Sequence, residues 1–122
     1  MSRENGILDL VMKGEWFEKI KSGEKNIEYR EVKKSWASRI FQTVKDEETG
    51  TQTTKQAVNL VLLSNNYARK EQMLFEIKMI EVLPSGINTD LHIDKPVYAI
   101  HLGKQLNIVE WYKQQKGGKN VI

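Results

Sequence analysis

With 122 residues, 39% hydrophobic and 29% charged, the chain has the size and make-up of one globular domain that buries its core without disulfide or metal support. The lack of cysteine excludes disulfides, thiol catalysis and thiolate metal sites. With only His92 and His101 there is no histidine-rich centre either, so neither a metal nor a cofactor is expected. A net charge of +3 tilts mildly toward polyanionic partners.

The first residues, Met-Ser-Arg-Glu-Asn-Gly, lack the apolar run of a secretory signal. No later stretch reaches the ~18 apolar residues of a membrane span, so a cytoplasmic protein with no membrane partner is expected. Ile7 to Lys13 reads as a strand with Leu8, Leu10 and Met12 on one face. After Gly14, "EWFEKIKSG" fits a short helix whose inner face carries Trp16, Phe17 and Ile20, with Gly23 as its stop. Lys25 to Arg30 reads as a second strand, Ile27 and Tyr29 alternating against Asn26, Glu28 and Arg30. "KKSWASRIF" resembles another short helix, with Trp36 and Ile40 four residues apart.

From Gln42 to Gln56 the apolar signal nearly vanishes, which predicts a polar loop or the tip of a long hairpin. Ala57 to Leu63 is an apolar run of strand length, buried on both faces. Met73 to Leu83 alternates, then shifts phase, which predicts a bulge near residues 79–80. A loop punctuated by Pro84, Gly86 and Pro96 leads to the last strong strand, Val97 to Leu102. The tail opens with a strand or helical turn that docks Trp111 and loses order after Gly117. The expected architecture is a single α+β domain over residues 1–116. It is a small, partly open, mostly antiparallel β-barrel with two short helices in its N-terminal half, a polar loop at 42–56 and a flexible tail at 117–122.

Most familiar chemistry is absent. "KGGK" has neither the length nor the Ser/Thr of a phosphate loop, and there is no HExxH, GxSxG or zinc-ligand spacing. His101, in the last strand, reads as a structural histidine. Between Lys13 and Arg39, however, eight basic residues face five glutamates with Trp16, Tyr29 and Trp36 interleaved, a composition suited to phosphate contact and base stacking. Within it, Glu28 and Arg30 project from one strand face about 7 Å apart and can pair. Lys25 has the opposite parity but sits beside a glycine, from which its side chain can swing to that face. A solvated, salt-bridged strand edge worth under about 1 kcal/mol and a ligand-gripping site explain these residues equally well.

Gly23-x-Lys25-x-x-Glu28-x-Arg30 resembles the GxKxxExR signature of ASCH domains, small members of the PUA-like superfamily. The resemblance continues through "YREVKKSWASRIF", "SNNY", "FEIKMIEV" and "VYAIHLGKQL", spanning roughly residues 7–106. It implies a PUA-like β-barrel with a basic cleft between the signature strand and the first helix, and RNA or a nucleotide-like ligand as partner. On that basis Lys25 and Arg30 are expected at phosphate or base edges, and Glu28 orients Arg30 or accepts a hydrogen bond from a base amino group. Tyr29, Trp36 and Tyr67 are candidate stacking surfaces. Arg39, Arg69 and Lys13 are rim candidates, and Ser64, Asn65 and Asn66 belong to a loop that either faces the cleft or simply turns the chain.

Some relatives in that family are enzymes. One branch hydrolyses the acetyl amide of N4-acetylcytidine with a threonine where this chain has Glu28, a lysine matching Lys25, and a later glutamate, here Glu76 or Glu81. A carboxylate at the nucleophile position disfavours that attack unless it acts as a base for water. Another branch cuts RNA. The alternatives are therefore a hydrolase of a modified nucleoside or a ribonuclease with Lys25 and Glu28 as the acid–base pair, and a protein-interaction module using Trp111 and Tyr112.

Overall fold

The computed structural model describes residues 6–120, with side chains over residues 6–115. Strand β1 (Ile7–Met12) alternates as its sequence predicts: Leu8, Leu10 and Met12 are buried, the residues between them half-buried. Helix α1 (Gly14–Lys21) turns Phe17 and Ile20 into the core, with Glu15 in its first turn and Lys19 and Lys21 in its last, the arrangement the helix dipole favours. Gly23, at φ +85°, ends it in the left-handed region, and its N–H donates to the Ile20 carbonyl at 3.0 Å.

The chain then runs through β2 (Ile27–Glu31) and α2 (Lys34–Ile40) into a hairpin of β3 (Phe41–Lys45) and β4 (Gln52–Gln56). It continues through β5 (Leu60–Asn65), the long β6 (Gln72–Leu83) and β7 (Val97–Leu106) to α3 (Ile108–Asn120). Five strands form one sheet in the order β1-β5-β6-β7-β2; β1 and β5 are parallel and every other pair is antiparallel. Two register shifts in β6, between Phe75 and Ile77 and between Ile77 and Met79, lie slightly ahead of the expected bulge. Such irregularities bend a strand, and the sheet is curled into a half-barrel. The expected barrel is thus α+β and mostly antiparallel but open: its edge strands β1 and β2 share no ladder.

The concave face holds the core, with Leu8, Leu10, Val61, Leu63, Phe75 and Ile100 against Phe17 and Ile20 of α1 and Ile40 of α2. On β5 the burial is one-sided: Val61 and Leu63 are enclosed, whereas Leu60 and Leu62 are half-buried. Three other segments take definite form. The 42–56 segment is a two-stranded hairpin whose strands are exposed from Gln42 to Lys45 and from Gln52 to Gln56. A third helix joins the two expected ones, because Asn107 Oδ1 accepts the Glu110 N–H at 2.9 Å and caps its start. Helix α3 runs as far as Asn120, and residues 121 and 122 of the expected flexible tail lie outside the described residues.

Candidate functional site

Strand β2 departs most from its sequence reading. Its register on β7 sets Glu28 opposite Ile100 and Arg30 opposite Tyr98, both core positions, so the charged side chains face inward. Ile27 and Tyr29, the expected apolar face, turn the other way. Tyr29 lies in one row with Ala99 and Glu81, on the side approached by the loop between β6 and β7. The charged face is tolerated there because β2 is an edge strand at the mouth of an open half-barrel.

Glu28 is buried, and its Oε2 accepts both the Nε–H (3.0 Å) and an Nη2–H (2.8 Å) of Arg30. The same Nη2 donates to the Val11 carbonyl of β1 at 3.2 Å, so one guanidinium bridges the two sheet edges across the seam. Lys25 does swing across from its own parity. Its ammonium lies 3.6 Å from Glu28 Oε1 and donates to the Ile27 carbonyl and the Asp90 carboxylate. Asp90, Lys25, Glu28 and Arg30 thus form a linear charge network that sums to zero. Its inner members Lys25 and Glu28 are only 9% and 10% exposed, so a charge stripped of its partner would be costly.

Aromatic rings enclose this network. Lys25 Nζ lies 5.0 Å from the Tyr29 ring centre and 5.7 Å from that of Trp16, while Arg30 and Arg39 lie 5.2 and 4.9 Å from Trp36. Burial, then the carboxylates of Asp90 and Glu81, raise the Tyr29 phenol above its ordinary pKa and keep it neutral and able to donate.

Above the network opens a cleft of about 690 Å³ at the seam, between the end of β1, the start of α1 and β2. A volume of this order suits a small ligand. Of the sequence candidates, Glu28, Tyr29, Arg30, Trp36, Asn66 and Tyr67 line it. Lys25 lies in an adjoining recess of about 220 Å³, and Trp16, Tyr29 and Asp90 border both spaces. Arg39 does not line the cleft but stacks on Trp36, which does. The cleft is not uniformly basic: Glu15, Glu28, Glu31 and Asp90 offset Lys13, Arg30 and Lys33.

The loop after β5 presents Tyr67, 86% exposed, from a firmly tied backbone. Asn66, at φ 51°, donates its N–H to the Met12 carbonyl at 2.8 Å, and Arg69 grips Asp9 at 2.8 and 3.0 Å. Lys21 holds Glu71 at 2.5 Å, a pairing that raises the lysine pKa and lowers the glutamate pKa. The rim candidate Arg69 is thus paired with Asp9, and the loop candidate Ser64 is wholly buried, accepting from Gln72 Nε2 at 2.8 Å. Asn65 reaches toward Glu71, 3.5 Å away.

The later glutamates stand apart from the Glu28 face. Glu76 is exposed, and Glu81 pairs with His101 at 2.8 Å on the side of Tyr29. Trp111 and Tyr112 pack edge to face on α3 at 5.1 Å, with Tyr112 half exposed. Asp90 carries no signal in the sequence, lying 65 positions from Lys25 in a loop without periodicity. Among the described residues no group of three or more His, Asp or Glu is placed to hold a metal ion, and no helix is long and apolar enough to cross a membrane. Compared with models of protein families, with characterised proteins and with solved structures, the chain matches none.

Proposed function

We propose that this chain is an ASCH-type domain of the PUA-like superfamily that binds RNA or a nucleotide-like ligand, receiving a base in the seam cleft. The observation that carries this reading is the cleft itself. A buried carboxylate–guanidinium pair lies at its floor, aromatic side chains flank it, and an exposed Tyr67 stands on a rigid loop at its mouth. Glu28 Oε1 accepts no hydrogen bond from a described donor, so it is open to an N–H of a base edge. Trp36, Trp16 and Tyr67 supply stacking surface, which serves bases of any identity.

Two of the three tryptophans line the cleft, so binding is visible in intrinsic fluorescence. Titration with short single-stranded RNA is expected to quench it saturably. Trp36→Ala combined with Tyr67→Ala is expected to weaken the affinity at least about tenfold. A folded wild-type protein that shows no saturable binding would sink the reading.

The approach of Lys25 to Glu28 supports one second reading, hydrolysis of a modified nucleoside or of RNA with these two as the acid–base pair. Incubation with N4-acetylcytidine and with short RNAs, with and without divalent metal, separates the two. Binding without product supports the first; product lost in Glu28→Gln supports the second.

A further inference from the structure

The charged side chains around the cleft fall into two populations. At the floor, Lys25 and Arg30 are tied to Asp90 and Glu28, so the charge of each is already offset by a carboxylate. At the rim, exposed Lys13 directly follows β1 and exposed Lys33 lies two residues past the end of β2, with Glu15 and Glu31 also lining the cleft. Lys33 makes a loose ion pair with Glu31 at 3.9 Å, whereas Lys13 and Arg39 have no carboxylate within ion-pair distance among the described residues. Arg39 is exposed and stacked on Trp36, a lining residue of the cleft.

We infer that the cleft divides its ligand: the charge-balanced floor takes the base, and Lys13, Lys33 and Arg39 take phosphates on its two sides. The ligand class is then a single-stranded polynucleotide with one base inserted, and not a free nucleoside or a mononucleotide. This rests on the reading of the cleft as a nucleotide site. Mixed charge at the floor offers a lone phosphate little net attraction, whereas cations on both edges match a backbone that enters on one side and leaves on the other. The assignment moves phosphate contact away from Lys25 and Arg30, the residues the motif singles out.

The test is the salt dependence of binding to an RNA octamer. Each phosphate contact to a single strand adds about 0.7 to the slope of log K against log salt, so three contacts give a slope near −2. Affinity is then expected to fall roughly fifteenfold between about 50 and 200 mM salt. The triple variant Lys13→Gln, Lys33→Gln, Arg39→Gln, altered only at exposed positions, is expected to flatten the slope toward zero while retaining weak, salt-insensitive binding. A mononucleotide is expected to bind the wild type no better than this variant binds the octamer. A triple variant with the wild-type slope, or a mononucleotide that binds as tightly as the octamer, overturns the division while leaving the nucleotide-site reading intact. Absence of binding by any RNA or nucleotide overturns both.

Discussion

Glu28 is the residue on which the site turns. As an exposed strand glutamate it would contribute almost nothing; here it is enclosed and serves two cations. Glu28→Ala leaves Arg30 with the Val11 carbonyl and the Trp36 ring, and strips Lys25 of one of its two carboxylates. Urea denaturation is expected to show a loss of about 2–3 kcal/mol, less than for a wholly buried pair because Arg30 retains 18% exposure. A loss within about 0.5 kcal/mol would return the pair to the class of solvated surface bridges. The motif spacing was legible in the sequence; its orientation was not. Alternation of Ile27 and Tyr29 against Glu28 and Arg30 says which residues share a face, and ordinary burial preference then assigns the apolar pair to the core. Only the register on β7, set by long-range pairing, reverses that choice.

Among the elements, the β3–β4 hairpin stands apart from the core. Its strands are polar, and from Gln42 to Lys45 and Gln52 to Gln56 they are exposed. A two-stranded ribbon of this kind is marginal by itself. Its root is held by Phe41 against Tyr98, with ring centres 6.0 Å apart, and by the Ala57 N–H donated to the Ile40 carbonyl at 2.7 Å. Replacing residues 42–55 with a short Gly-Ser linker between the paired Phe41 and Gln56 is expected to move Tm by no more than a few degrees. A collapse of the cooperative transition would show the hairpin to be part of the core. Composition alone left a loop and a hairpin open for this segment, because a wholly polar ribbon lacks the apolar alternation that marks a strand. For helix α3 the sequence left a strand and a helical turn open, although Asn107-Ile-Val-Glu110, an N-cap residue with glutamate three positions on, favours the helix.

At the scale of the whole molecule, the parts that periodicity reaches were legible: the alternation of β1, the amphipathic α1 and the α+β order. A partly open barrel was legible too; the strand order and the closure of the site were not, since both depend on pairs far apart in the chain. One such tie, Lys21 to Glu71, joins α1 to the loop that carries Tyr67 across 50 positions. Its lysine holds the Glu71 carboxyl below its ordinary value of 4.5. A lowered folded-state pKa means that the unfolded chain binds the proton first as pH falls. The tie therefore stabilises above the ordinary glutamate range and is lost as pH drops through the lowered value. Glu71→Gln is expected to melt below the wild type at neutral pH, with the gap closing as pH falls through the lowered value and narrowing as salt rises. A gap that persists in acid would show that Glu71 acts through packing.

The single guanidinium bridge at the seam also has a mechanical consequence. In a closed barrel the bore is fixed by a ring of backbone hydrogen bonds, and changing its width means breaking several together. Here Arg30 to Val11 joins the two edges through one flexible side chain. The aperture is thus a soft coordinate, able to widen by rotation of that arm while every strand ladder stays whole. A bulky insert meets a compliant jaw rather than a rigid bore.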